Sequence, residues 1–194
     1  YVGLRATGPD MLKTASSYYQ KQNLADTRVV SSLGITATEI KKIEEVEGIK
    51  AEGRYFQDVN LSKEDQVFRI FSYDSKQTLN RVVVIKGRLP KNSEEIVLDD
   101  RALEKDYKLN QRFDISADET QKHFKRANFK IVGFVKSPEF IETISRGNTT
   151  VGKGSIDCFA FILPESFTQK VYSEALISYC LLYTSPSPRD MRRS

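Results

Sequence analysis

The chain has few of the side chains on which nucleophilic and metal chemistry depends. It contains one histidine, His123, and two cysteines, Cys158 and Cys180, which are too few for a Cys/His zinc site. It contains no Gly-x-Ser-x-Gly sequence, the motif that exposes a nucleophilic serine in α/β-hydrolases. His123 lies in a polar segment beside lysines, which predicts a solvated surface residue. The sequence therefore predicts no catalytic, cofactor-binding or metal-binding residues, and a hydrolase is the least favoured class.

Long apolar runs are absent from the sequence as well. No run approaches the roughly 20 residues that a membrane-spanning helix needs, and no segment has the pattern of a signal peptide. Because the chain begins at Tyr1 and not at Met, we expect it to be a fragment of a longer protein. The missing apolar runs are then a property of the fragment and say nothing about its parent.

The charge balance excludes the usual pattern of a nucleic-acid-binding protein. The chain has 30 basic and 26 acidic side chains, and the two signs alternate over short distances, as in Lys41–Glu45. A nucleic-acid binder concentrates positive charge on one face, so the sequence predicts an evenly solvated surface and no nucleic-acid partner. Hydrophobic residues make up 39% of the chain, which is enough to form a folded core.

Two further patterns have a functional and a structural interpretation, and the structural one is favoured in both. The acidic pairs Glu94-Glu95 and Asp99-Asp100 are interpreted as exposed charge, because neighbours on a strand point to opposite faces. The glycine-rich segment 146–155 has Gly-Lys-Gly-Ser in an order that does not fit a phosphate-binding loop. Cys158 follows an apolar pattern that predicts a small buried residue, although a disulfide with Cys180 stays open.

Two helices are predicted near the N-terminus. Residues 9–22 have apolar side chains at helical spacing. In residues 35–48, Thr36 and Glu39 have the spacing of a capping box, Ile35 and Ile40 that of a hydrophobic staple, and Gly48 follows the expected C-terminus.

The remainder of the chain is rich in predicted strands. The run Val82–Ile85 predicts a buried strand, residues 117–127 an exposed loop or short surface helix, and residues 137–155 a long ordered loop. The predicted strands lie at 26–31, 49–55, 66–73, 81–86, 95–98, 112–116, 129–136 and 156–163. We therefore expect an α+β fold, with a mixed or antiparallel sheet, two N-terminal helices and a strand-rich second subdomain.

Several segments, taken together, resemble the extracytoplasmic core domain of FtsX/MacB-type ABC transporter permeases from Gram-positive bacteria. The most specific is Lys86-Gly87-Arg88-Leu89-Pro90 followed by Glu94-Glu95-Ile96-Val97-Leu98, which is similar to the family pattern G-R-x-P-x-x-x-x-E-I-V-L. Asn110 stands where the family usually has glycine, and asparagine tolerates the positive φ required there. The other matching segments are Tyr1–Met11, Asp26–Gly48, Tyr107–Asn110 with Phe113–Ile115, and Phe129–Pro138.

The resemblance implies that residues 1–179 are a C-terminally truncated MacB-like periplasmic core domain on the extracytoplasmic side of the cell membrane. It implies a parent with membrane helices, a cytosolic ATP-binding subunit as partner, and possible pairing with a second permease copy. Such a domain has no catalytic activity and serves transmembrane transport or other extracytoplasmic work by mechanotransmission. Residues 180–194 resemble translated sequencing-adapter DNA, and we expect a disordered, non-native tail there.

A site for partner contact and a competing function complete the expectations. Tyr18, Tyr19, Phe140 and Ile141 are the aromatic and apolar residues that we expect in an exposed contact patch. The alternative function is a secreted binding module for a peptide antibiotic or a lipid, which requires a preformed apolar pocket with a few polar groups.

Overall fold

Two β-sheets form most of the computed structural model, which describes residues 22–61, 66–115, 122–140 and 146–179. Within these ranges the strands, in chain order, are β1 (Thr27–Ile35), β2 (Ile49–Arg54), β3 (Phe56–Leu61), β4 (Gln66–Ser72), β5 (Val83–Gly87), β6 (Glu95–Asp99), β7 (Arg112–Asp114), β8 (Asn128–Lys136), β9 (Cys158–Ile162) and β10 (Tyr172–Tyr179). The chain is thus a strand-rich mixed α/β structure, as the sequence predicts at this coarse level.

The smaller sheet is antiparallel, with the strand order β1–β10–β2. The α-helix α1 (Ala37–Glu44) packs on one face of it, where Ile40 meets Ala51, Ala175 and Ile177. The helix begins as predicted: the Thr36 hydroxyl accepts from the Glu39 N–H, and the Glu39 carboxylate accepts from the Thr36 N–H. Because eight residues are too few for an isolated helix, this apolar contact stabilises α1.

The larger sheet has the strand order β3–β4–β9–β6–β8–β5 and is mixed. The pairs β4–β9 and β6–β8 are parallel, and the other pairs are antiparallel. Strand β8 is nine residues long, so β5 pairs with residues 133–136 and β7 with residues 128–130 of the same strand.

Both faces of the larger sheet are buried. Phe68, Ile70 and Leu98 belong to a core cluster on one face, and Phe71, Val97 and Phe161 belong to a second cluster on the other. Strands β6 and β9 are buried at every position for this reason. Near-continuous apolar runs, and not alternating ones, are what a sheet covered on both faces requires.

The structure corrects three predictions of local structure. Strand β5 is not buried: residues 84–87 are all exposed, because β5 lies at the edge of the larger sheet. Strands β3 and β10 lie outside every predicted strand. Helix α1 ends at Glu44, before the predicted position, and Gly48 takes its positive φ of 78° in the turn that leads to β2.

Some predictions fall on residues outside the described ranges. The helix at 9–22, apart from its last residue, lies there, as do residues 117–121 of the segment predicted at 117–127 and the tail 180–194, which includes Cys180. No helix among the described residues is long and apolar enough to cross a membrane. Cys158 is fully buried, as predicted, and its thiol is free.

Candidate functional site

A buried group of ion pairs joins the two sheets. Arg54 at the end of β2 and Glu174 in β10 are cross-strand partners in the smaller sheet, and the side chains of both are 0% exposed. The Arg54 Nε donates to Glu174 Oε1 at 2.5 Å. Its two terminal nitrogens donate to both oxygens of Glu139, at 2.6 and 2.7 Å. Since Glu139 follows β8 of the larger sheet, one guanidinium binds carboxylates from both sheets.

Burial and charge act in opposite directions on these groups. Burial alone would lower the pKa of Arg54, but Glu139 and Glu174 outweigh it and raise the pKa, so Arg54 is a fixed cation. Burial raises the pKa of Glu174, and the nearby Glu139 adds to this, although Arg54 and Arg28 oppose it. A buried carboxylate of this kind is stable in its charged form only while its cationic partners stay in place.

One oxygen of this group has no hydrogen-bond partner within the described residues. Glu174 Oε2 is buried and accepts no hydrogen bond there. Its nearest cation is Arg28, whose Nε lies 3.5 Å away and whose side chain is partly exposed. The ion pair with Arg28 therefore connects the buried group to the surface through strand β1.

A second buried ion pair lies at the end of β6. Arg146 donates from Nε and one terminal nitrogen to the two oxygens of Asp99, at 2.7 and 2.9 Å. It also donates to the Phe140 carbonyl at 2.6 Å and lies 3.7 Å from Asp100. Burial raises the pKa of Asp99 to about 6, despite the opposing effect of Arg146. The pair joins the centre of the larger sheet to the glycine-rich segment.

These ion pairs correct the interpretation of the acidic pairs as exposed charge. Asp99 is buried against Arg146, and both Asp99 and Asp100 face that arginine. Glu95 is buried as well. Its carboxylate accepts a hydrogen bond from each terminal nitrogen of Arg88, both at 2.6 Å. The Arg88 hydrogen bonds lower the pKa of Glu95 to about 2. These carboxylates form structural ion pairs, and Glu94 alone is exposed as predicted.

A cleft of about 700 Å³ lies beside both ion pairs. Its walls combine the charged residues Arg28, Arg69, Glu139 and Arg146 with apolar ones, among them Leu24, Pro138 and Phe140. Arg69 is held by Asp58 through bonds of 2.6 and 2.8 Å. A ligand with polar groups fits such walls better than a lipid chain. An apolar chain would displace water from the charged side chains without replacing its hydrogen bonds, which costs free energy.

Of the four residues of the predicted contact patch, Phe140 alone lies within the described ranges. Phe140 is half-buried, and its ring stacks on Phe159 with 4.7 Å between centroids. Tyr18, Tyr19 and Ile141 lie outside the described residues. The half-buried ring of Phe140 covers one apolar core cluster, so Phe140 packs against the core.

The groups closest to a catalytic function lack the required surroundings. His123 is half-buried, and not fully solvated as predicted, because its neighbour Phe124 packs against Phe167 at 5.2 Å between ring centroids. Burial raises the pKa of the Cys158 thiol to about 12, so it is a poor nucleophile at neutral pH. Within the described ranges no three His, Cys, Asp or Glu side chains are placed to hold a metal ion.

Sequence reasoning missed the ion-pair group because its members are far apart in the chain. Arg54 and Glu174 are 120 residues apart, and Arg54 and Glu139 are 85 apart. The one available indication was Glu174, the single charged side chain in the otherwise uncharged segment Tyr172–Tyr179. Comparison with protein-family models, curated proteins and solved structures finds no match to this chain.

Proposed function

We propose that this chain is part of the extracytoplasmic domain of an FtsX/MacB-type ABC transporter permease and transmits movement between the membrane and a partner. The observation that supports the proposal best is spatial. Two separate segments that carry the resemblance, Lys86–Leu98 and Phe129–Pro138, form a single structural unit around β5, β6 and β8.

The glycines of the two segments allow a close backbone approach. A Cβ atom at Gly133 would lie 2.3 Å from the Arg88 carbonyl oxygen. A Cβ atom at Gly87, whose φ is +78°, would lie 2.3 Å from the Val132 carbonyl oxygen. Larger residues at either position would separate β5 from β8.

The charged residues of the first segment hold the turn between its two strands. Arg88 follows β5 and Glu95 begins β6, and their paired hydrogen bonds close the turn. The Lys91 N–H also donates to Glu95 at 2.8 Å. Asn110 takes a φ of +66°, which explains how it replaces the family's usual glycine. The residues of the pattern thus depend on one another physically in this chain.

The smaller sheet is suited to receive movement. Strands β1 and β10 are adjacent and antiparallel, and Asp26 before β1 accepts from the Tyr179 N–H at the end of β10, at 2.7 Å. Residues 26 and 179 therefore lie side by side at one end of the smaller sheet. Force applied there reaches the larger sheet through Arg54 and Glu139.

The proposal includes the features that the resemblance implies for the parent. These are a cell-membrane location with this segment outside, a cytosolic ATP-binding subunit as partner, possible association with a second permease copy, and a body without catalytic activity. It also includes two N-terminal helices, of which α1 is the second, and a strand-rich second subdomain formed by the larger sheet.

The experiment is to sequence the source gene beyond both ends of this segment and to purify the encoded parent. We expect apolar segments of about 20 residues on both sides and recovery of an ATP-binding subunit with the affinity-tagged parent. A complete gene with no such apolar segment would contradict the proposal, as would a purified parent that never retains an ATPase.

A secreted ligand-binding module is the second candidate, and the cleft favours it. Its volume lies within the range of small-molecule sites, about 300–1,000 Å³. The charged walls favour a polar peptide over a lipid. Thermal-shift measurements with peptide antibiotics would show a rise in Tm for a true ligand, and Arg69→Met should abolish that rise. A parent gene without membrane segments, together with such a rise, would favour this candidate over the permease.

A further inference from the structure

The edge strand β5 has an unusual exposed surface. Its neighbours in the larger sheet are buried, but residues 84–88 are all exposed. Val84 is 37% exposed and Ile85 is 48% exposed. Among the described strands, β5 pairs only with β8, so its other side presents backbone groups next to exposed apolar side chains. Exposed edges of this kind are places where another extended chain can pair.

The segment that contains β5 carries basic side chains only, although acidic residues border it and Glu95 pairs with Arg88. Residues 75–93 contain five basic side chains and no acidic one, in a chain with 26 acidic residues. Arg81, Lys86 and Lys91 within this stretch are exposed, and Arg88 is partly exposed beside Glu95. The edge continues into β7, where Arg112 is balanced by Asp114 at 2.6 Å. Exposed positive charge is therefore present along the β5 part of the edge, at Arg81, Lys86 and Lys91.

This arrangement disfavours pairing of β5 with the β5 strand of a second copy of the chain. A second copy of β5 would bring the exposed basic side chains of both copies, Lys86 among them, close together, and like charges across a strand pair are destabilising. The register also shifts between Val84 and Lys86, and such an irregularity opposes regular self-pairing. An acidic extended segment has the complementary charge and no such repulsion.

We propose that β5 is a docking strand for an extended, acidic segment of a partner protein, which pairs with the free edge and covers Val84 and Ile85. The partner's backbone pairs with the edge, its apolar side chains contact Val84 and Ile85, and its carboxylates face Lys86 and Arg81. This is strand addition, in which backbone hydrogen bonds provide affinity and side chains provide specificity. The proposal concerns a surface outside the ion-pair group and stands independently of the permease assignment.

The experiment uses the 194-residue chain and an acetylated, amidated decapeptide of alternating valine and glutamate as probe. Binding is measured by fluorescence anisotropy and located by NMR shifts of backbone amides. We expect the largest shifts at residues 83–88 and weaker binding as salt rises from 0.05 to 0.15 M, since exposed charges are screened. We expect no binding of the same peptide with lysine in place of glutamate, or with a central proline that cannot donate.

Two matched pairs of variants distinguish the effect of this edge on binding from the effect of the protein's overall charge. Lys86→Glu should weaken binding about tenfold, whereas Lys41→Glu on α1 makes the same charge change elsewhere and should have no effect. Ile85→Glu should likewise weaken binding, while Val30→Glu, at the 51% exposed position of edge strand β1, should not. Because all four side chains are exposed, these variants should remain folded, which circular dichroism checks.

Several results would overturn the proposal. These are amide shifts centred outside β5, equal losses from Lys86→Glu and Lys41→Glu, or equal binding of the lysine peptide. Binding to vesicles of phosphatidylcholine and phosphatidylglycerol without binding to the acidic peptide would assign the surface to a membrane. A concentration-dependent dimer that Ile85→Glu abolishes would assign it to a second copy of this chain.

Discussion

Replacing Arg54 by methionine tests the ion pairs that join the sheets. Methionine is shorter and unbranched, so it fills the space of the arginine's aliphatic part, but it cannot donate to either carboxylate. Glu174, with 0% exposure, and Glu139, with 10%, would then face each other without their common cation. Removing one partner from a buried ion pair costs about 3–5 kcal/mol, and we expect Arg54→Met to lower the free energy of unfolding by that amount at pH 7.5.

The same substitution should depend on pH in a defined direction. The pKa of Glu174 in the folded chain already lies above its ordinary value, so protonation favours the folded state. Its contribution to stability is present below the unfolded pKa and is lost as pH rises through the folded pKa. Loss of Arg54 removes an opposing effect and raises the folded pKa further. The destabilisation should therefore be larger at pH 7.5 than at pH 5.

The assay is urea unfolding followed by circular dichroism and tyrosine fluorescence, whose coincidence checks two-state behaviour. Arg112→Met is the control, because it removes an equally short ion pair between exposed side chains, which should cost at most about 1 kcal/mol. Adding Glu174→Gln to Arg54→Met should recover part of the loss. Equal effects of the two arginine substitutions, or a loss that does not change with pH, would refute the reasoning.

Three further predictions follow from single positions. Gly133→Ala should lower the free energy of unfolding by about 2–3 kcal/mol in the same urea assay, because its Cβ would meet the Arg88 carbonyl oxygen; an unchanged midpoint would contradict this. Asn110→Gly should leave stability nearly unchanged, whereas Asn110→Val should cost about 1–2 kcal/mol at a φ of +66°; equal stability of the two variants would count against it. In a Cys180→Ser background, the thiol of Cys158 should react with a disulfide reagent only after unfolding, and fast reaction in native buffer would show that its burial is incomplete.

Local features of the fold were predictable from the sequence because their causes are local. The capping box of Thr36 and Glu39 depends on residues three apart. The positive φ of Asn110 is predictable because asparagine itself tolerates that conformation. The apolar runs of β6 and β9 predict strands because both faces of the larger sheet are covered. In each case a short window of sequence contains the determining contacts.

The errors have non-local causes. Four consecutive apolar residues at 82–85 are compatible with a central or an edge strand, and only the strand order shows that β5 is an edge. Asp99 looked exposed because its partner Arg146 lies 47 residues away. Strand β10 pairs with two strands more than 100 residues earlier in the chain. The ion-pair group depends on these same long-range pairings, so sequence patterns alone could not assemble it.

The most direct test of the proposed location uses a single reactive cysteine in the intact parent. Leu33→Cys places a thiol at a 93% exposed position, whereas Cys158, the cysteine among the described residues, is fully buried. Whole cells that express the parent are treated with a membrane-impermeant maleimide, and a second sample is treated after lysis. An extracytoplasmic domain predicts equal labelling in both samples. Labelling only after lysis would place this chain inside the cell and contradict the permease assignment.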